Sequence, residues 1–144
     1  MTKKSTHNTS LCDILNIRYP VIMAPMFLIS NTNMLIEAIN SGITGCVPAH
    51  NYRTDSEFRN AIEMVRKKAT GPVGVNLIVN KSNVKFKQQL QNCLDLKIDY
   101  IITSLGSPEK TINACKPLGI KVFCDVVDVK YALKVQELGC DAII

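Results

Sequence analysis

Five apolar runs, separated by stretches with helical striping, constrain this chain more than any other feature. The runs are Val21–Ala24, Ile43–Val47, Val73–Val79, Tyr100–Ile102 and Val122–Cys124, and Asp141–Ile144 opens a sixth. Continuous apolar runs suit strands buried on both faces, as in parallel α/β sheets. The intervening segments read as helices. One covers roughly 32–40, with Ser30 and Asn31 as capping candidates and Gly42 behind it. Thr54-Asp55-Ser56-Glu57 has capping-box spacing, and Phe58, Ala61, Ile62 and Val65 then mark one helical face. Phe86, Leu90, Cys93 and Leu94 stripe a third helix. Ser107-Pro108-Glu109 opens a fourth that ends at Pro117, and Val129, Ala132, Leu133 and Leu138 stripe a fifth.

Strand starts recur at roughly 20–30 residues, the period of βα units. A weak internal repeat agrees, since Leu118-Gly119-Ile120-Lys121-Val122 and Leu138-Gly139-Cys140-Asp141-Ala142 each leave a helix at Gly and enter a strand. Right-handed crossovers then place helices outside a parallel sheet. An open doubly wound sheet and part of a (β/α)8 TIM barrel both fit. A whole barrel takes about 250 residues, so 144 residues would supply about five and a half of the eight units. The expected organisation is a flexible polar tail over 1–12 and a single α/β unit over 13–144.

Composition closes several doors. No apolar run approaches the roughly 20 residues of a membrane helix, and the polar N-terminus lacks the apolar centre of a signal peptide. The net charge of +5 is spread along the chain without a basic block interleaved with aromatics, so no nucleic-acid partner is expected. The six cysteines contain no CxxC pair, and the only histidines are His7 and His50, which argues against a zinc site. Cys46, Cys124 and Cys140 fall at strand positions and read as small core residues. Reduced thiols and a cytoplasmic location are the expectation.

Function has to be sought at strand C-termini, where α/β folds carry their sites. Neither GxGxxG nor a Walker A run is present. The first βα loop, Pro25-Met26-Phe27-Leu28-Ile29-Ser30, is apolar, a poor phosphate cradle but a suitable wall for a flat ring such as a flavin. Asn76 interrupts an apolar strand. It is either satisfied by neighbouring backbone or used to read a ring edge or a phosphate oxygen.

Tyr19-Pro20-Val21-Ile22-Met23-Ala24-Pro25-Met26, then Gly74-Val75-Asn76-Leu77, then Gly139-Cys140-Asp141-Ala142-Ile143-Ile144 occur in an order and spacing that resemble the N-terminal part of nitronate monooxygenases, formerly 2-nitropropane dioxygenases. The resemblance covers roughly residues 13–144. It implies an FMN-dependent TIM barrel that oxidatively denitrifies small nitronates with O₂, one-electron transfer to the flavin starting the chemistry. It further implies FMN contacts at Ala24, Pro25, Met26 and Asn76, and a pocket-facing fourth loop from Ser104 to Ser107. Asp125 falls near a flavin-contacting position where some members carry Lys. A carboxylate there is a departure, and the alternative is a solvated loop acid.

The family's catalytic His follows its sixth strand in a Gly-rich segment, and its phosphate-binding loops follow strands seven and eight. Neither is found among these residues, so no catalytic residue is assigned. The expectation is an inactive fragment with wet apolar interior faces, weak FMN retention and self-association through unpaired barrel edges. His50 after strand two and Cys124 in strand five are weighed as substitutes and set aside; nothing near Cys124 would lower its pKa. Two rival readings stand beside this one. The first is an FMN-dependent enoyl-acyl-carrier-protein reductase. The second is a non-enzymatic flavodoxin-like module, which would need a final helix after the last strand.

Overall fold

The computed structural model describes residues 10–144. His7 and positions 1–9 of the expected tail lie outside the described residues. Leu11 and Cys12, also placed in that tail by the sequence, belong to a short helix, α1 (Leu11–Leu15). A reciprocal capping box starts it: Ser10 Oγ accepts from the Asp13 backbone N–H, and the Asp13 carboxylate accepts from the Ser10 backbone N–H at 3.2 Å. The sequence reading missed this helix, because five helical residues are too few to show a stripe.

Six strands and five further helices alternate along the rest: β1 (Ile22–Met23), α2 (Thr32–Asn40), β2 (Thr44–Pro48), α3 (Asp55–Lys68), β3 (Val73–Ile78), α4 (Phe86–Asp95), β4 (Tyr100–Ser104), α5 (Glu109–Cys115), β5 (Lys121–Cys124), α6 (Val129–Glu137) and β6 (Ala142–Ile143). Short 3-10 turns cover Ala49–Asn51 and Lys116–Leu118, the second holding the Pro117 that ends α5. Cys140 lies in the turn before β6 rather than in the strand, because Gly139 with φ +86° still belongs to the helix exit.

All five strand pairs are parallel, in the order β1-β2-β3-β4-β5-β6. This order separates the two architectures left open by the sequence. A doubly wound sheet reverses direction at a switch point, as flavodoxin-like sheets do with order 2-1-3-4-5. Here each crossover steps the same way, so right-handed connections place the crossover helices α2–α6 on one face of the sheet. The opposite face is the inside of an incomplete (β/α)8 barrel. The flavodoxin-like alternative is thereby excluded as a fold.

The two faces carry two cores. Val47, Val73, Val75, Leu77, Ile101, Val122 and Cys124 point outward and pack with Leu35, Ile36, Ile39, Phe58, Ile62, Val65, Leu90, Cys93 and Ile112 of the helices. Cys46, Tyr100, Ile102 and Phe123 point inward and pack with Leu15 and Ile17, with Leu11, Cys12 and Ile14 alongside. Cys46, Tyr100 and Phe123 are all essentially inaccessible. The expectation of wet interior faces therefore fails for the lower half of the sheet. The segment around α1 folds across the strand N-termini and keeps that half dry.

Thr54 and Glu57 form the box expected at α3. Thr54 Oγ1 accepts from the Glu57 N–H at 3.2 Å, and the Glu57 carboxylate accepts from the N–H groups of Arg53 (2.8 Å) and Thr54 (3.2 Å). Thr54→Ala should cost about 1 kcal/mol, read as a shift of the urea midpoint with unchanged slope.

Candidate functional site

Register decides which side chains share the inner face. Pro48, Asn76, Ile102, Phe123 and Ala142 are aligned across five strands. One step nearer the strand C-termini, Ile78 pairs with Ser104. Asp125 follows in line, its backbone N–H donating to Thr103 O at 3.0 Å. Ala24 continues the alternation in which Ile22 packs inward and Met23 outward. Ala24, Asn76, Ser104 and Asp125, expected from the sequence to face a ligand, thus lie on one inward rim above the dry layer.

Asn76 and Ser104 touch. Asn76 Nδ2 donates to Ser104 Oγ at 2.9 Å and to the Ile102 carbonyl at 3.0 Å. Both donor hydrogens of the amide are used, and no donor among the described residues reaches Asn76 Oδ1. The side chain is half-buried, so the strand amide offers a free acceptor to the barrel interior. The two alternatives drawn for Asn76 both hold in part, its donors being met by neighbours and its acceptor left open.

The first loop is held by residues whose part in the site the sequence did not reveal. Ser30, 1% exposed, accepts from the Met26 N–H at 2.6 Å through its Oγ and returns a hydrogen bond to Met26 O at 3.0 Å. Asn51 reaches over from the 3-10 turn after β2. Its Oδ1 accepts from the Leu28 N–H at 2.9 Å and its Nδ2 donates to Ser30 O at 2.8 Å. Asn31 alone caps α2, so Ser30, read from sequence as a possible cap, serves the loop instead. Nothing in local spacing announces the Asn51 contact, which joins positions 21 and 23 apart. Pro25 and Met26 are half-buried, and the Met26 N–H is already engaged.

Leu28 and Leu105 both adopt left-handed backbone conformations, with φ of +58° and +59°. For a residue with a Cβ this costs roughly 1–2 kcal/mol. In both cases the strain leaves a leucine exposed at the C-terminal end of the sheet. Phe27, Ile29 and Val127 join them there, forming an apolar lip on loops after β1, β4 and β5. The fourth loop is split. Ser104 faces inward, whereas Ser107 is exposed on an outer cleft between the loops after β3 and β4, so the expected pocket-facing run Ser104–Ser107 narrows to its first residue.

Asp125 is exposed and has no side-chain partner among the described residues, which suits a solvated loop acid as well as a ligand contact. His50 lines a small cavity of 170 Å³ with Ser82, Val84 and Lys85, away from the aligned inward residues. Cys124 points outward among the helices, and burial pushes its thiol pKa up, so it is no thiolate nucleophile near neutral pH. Among the described residues no three His, Cys, Asp or Glu side chains gather as a metal site, and no helix is long and apolar enough to cross a membrane.

No family model matches the chain. Among curated proteins, it is 24% identical over 140 residues to (3aS,4S,5R,7aS)-5-hydroxy-7a-methyl-1-oxo-octahydro-1H-indene-4-carboxyl-CoA dehydrogenase of Rhodococcus jostii (strain RHA1), covering 97% of this chain and 39% of that protein. It is 30% identical over 86 residues to a Staphylococcus haemolyticus (strain JCSC1435) protein named "Probable nitronate monooxygenase", covering 60% of this chain and 24% of that one. Among solved structures, FabK from Thermotoga maritima superposes with a TM-score of 0.86 and 26% identity over 96% of this chain and 43% of FabK. Nitroalkane oxidase from Streptomyces ansochromogenes superposes with a TM-score of 0.81 at 17% identity over 94% of this chain and 47% of that one, a likeness of fold. The chain spans less than half the length of each of these proteins. The chain is thus similar over part of its length to a protein named as a probable nitronate monooxygenase, and its incomplete barrel has the fold of parts of FabK and nitroalkane oxidase.

Proposed function

We propose that this chain forms the N-terminal wall of a flavin site in an oxidoreductase that uses FMN and O₂ to denitrify small nitronates. The observation that carries the reading is the Asn76–Ser104 pair, with the unclaimed Oδ1 of Asn76 facing the interior at the strand C-termini. Ala24 and Pro25 present little bulk beside it, and the apolar lip gives a flat ring a surface that excludes water. The donor and acceptor set fits a flavin: an amide oxygen for a ring N–H, a hydroxyl, and small residues that let a ring approach backbone. FMN, when bound, supplies a one-electron acceptor that passes electrons on to O₂.

The chain's own residues act by placement. Ser30 and Asn51 hold the first loop and its strained Leu28 against the strand ends. Ser104 keeps the Asn76 amide oriented, so its oxygen rather than its nitrogen meets the ligand. Asp125 sits on the same rim, exposed and without a side-chain partner among the described residues.

The deciding assay is O₂ uptake and nitrite release from an alkyl nitronate by the protein supplied with FMN. No flavin binding, or flavin binding without nitronate-dependent O₂ uptake, removes the reading. Asn76→Leu should weaken FMN binding roughly tenfold, the loss of one well-placed hydrogen bond to a buried group, as read by flavin fluorescence quenching. Unchanged affinity would detach Asn76 from the flavin. A second reading, reduction of an enoyl thioester with a nicotinamide coenzyme as donor, is favoured by the closer likeness to FabK in both identity and TM-score. Consumption of NADH or NADPH with an enoyl thioester, without nitronate turnover, selects it.

A further inference from the structure

A sizeable cavity lies outside the inner face. It is a cleft of about 730 Å³ between the loop after β3 and the loop after β4, on the helix side of the sheet. Its floor is apolar, made by the half-buried Val79 and Phe86, with exposed Val84 at its edge, and Lys81, Lys87 and Lys110 stand around it against one carboxylate, Glu109. None of these three ammonium groups meets an ion-pair partner among the described residues, whose ion pairs are Arg59–Asp95, Arg66–Asp99 and Lys121–Asp141.

The walls are already built. Buried Asn83 donates to Ile78 O at 2.8 Å and to Gln89 Oε1 at 2.9 Å, and its Oδ1 accepts from the Lys85 N–H at 3.1 Å. Asn80 Oδ1 accepts from the Ser82 N–H at 2.9 Å. Gly106, at φ +149°, lies so close to Asn80 that a Cβ would come within 3.1 Å of its backbone, and Tyr131 Oη donates to the Gly106 carbonyl. Both loops are therefore fixed by bonds that leave the lysine side chains uncommitted.

Three ammonium groups and one carboxylate around a common cleft leave a net charge of +2. Like charges held together repel, and an anion placed among them relieves that repulsion. A single negative charge does not balance the set, whereas a diphosphate does. The apolar floor in turn offers a surface for a flat, uncharged body. We infer that this cleft binds a nucleoside diphosphate group, its phosphates among Lys81, Lys87 and Lys110 and its base on Val79 and Phe86. The cleft is on the opposite face from Asn76 and Ser104, so the inference stands apart from the flavin reading. Adenosine diphosphate occurs within both coenzyme A and the nicotinamide coenzymes, and the test separates these sources.

Calorimetric titration of the chain with ADP, coenzyme A, NADH and pyrophosphate is the experiment. Saturable ADP binding is expected, weakening as salt rises. Binding of pyrophosphate as tight as that of ADP would overturn the nucleoside part of the inference. Coenzyme A or NADH binding more tightly than ADP identifies the carrier, and equal binding of all three shows recognition of the shared ADP group alone. The triple variant Lys81→Ala, Lys87→Ala, Lys110→Ala should lose roughly tenfold or more in ADP affinity with an unchanged melting temperature, since charge pairs across a binding surface act largely through affinity and encounter. Glu109→Gln should move the other way, tightening ADP about threefold by removing the one opposing charge. The pair Lys67→Ala, Lys68→Ala on α3 serves as a control without effect. No saturable ADP binding, or binding indifferent to the triple variant and to Glu109→Gln, overturns the site.

Discussion

Gly74→Ala should be among the most damaging single-methyl additions in this chain. A Cβ at Gly74 would lie 2.2 Å from Cζ and 2.5 Å from Cε2 of Tyr100, far inside any real contact. The ring cannot swing away cheaply. Tyr100 is completely buried, its Oη donates to Gly45 O at 2.8 Å, and Phe123 stacks on it with ring centroids 5.3 Å apart. Overpacking of this kind costs roughly 1–3 kcal/mol, and stranding a buried hydroxyl or carbonyl adds about 1–3 kcal/mol. A loss of about 4 kcal/mol lowers the melting temperature of a chain this size by roughly 10 °C or more. Adding Tyr100→Leu should recover part of that loss, because the two positions share one volume and cannot contribute additively. A Gly74→Ala protein that melts within a degree or two of the parent would mean that the ring does not lie over β3. Gly119→Ala is the useful contrast: nothing lies within 4 Å of a Cβ there, and only its φ of +71° resists the change.

Phe123→Ala tests the same layer from the other side. If the inner face of the sheet were wet, trimming Phe123 would cost little, since exposed apolar side chains usually matter by no more than about 0.5 kcal/mol. In this structure Phe123 is 1% exposed, enclosed by Tyr100, Ile102, Cys46 and the residues around α1. Removing a buried phenyl ring from such a site costs about 3–5 kcal/mol. Urea unfolding of Phe123→Ala and of Val127→Ala, a residue 90% exposed on the loop after β5, makes the comparison internal. A large midpoint shift for the first and none for the second is expected. Equal, small shifts would mean that the segment around α1 does not cover the strand N-termini in solution. The same pair bears on α1 directly, because deleting its contacts should mimic Phe123→Ala without touching the helix-side core.

Much of the architecture is legible along the chain because it is carried by short-range patterns. The continuous apolar runs place the strands to within two residues, and the capping box at Thr54 and the Asn31 cap place the starts of α3 and α2. The inward rim was legible in part. Ala24, Asn76, Ser104 and Asp125 could be chosen as residues near strand C-termini, a position that period-two alternation and chain direction specify. Ser107 could not be separated from Ser104, because the backbone of Leu105 and Gly106 turns the loop outward through two positive φ angles that no spacing rule requires. Ser30 illustrates the same limit. As a serine before a helix it looks like a cap, and only the fold makes it a double partner for Met26.

The chain's residues determined alone that strands and helices alternate, roughly where β1–β6 and α2–α6 begin, and that an amide interrupts the third strand. Local propensity and burial patterning act over a few residues, and so they can be read there. Only the tertiary structure decided that the crossovers step in one direction, that α1 dries half of the inner face, and that Asn51 clasps the first loop. It alone gathered Lys81 of the loop after β3, Lys87 of α4 and Lys110 of α5 around one cleft. Each of these depends on residues tens of positions apart meeting in space. The free energy that selects such meetings, burial of a shared apolar face and satisfaction of buried polar groups, exists only once the sheet has formed.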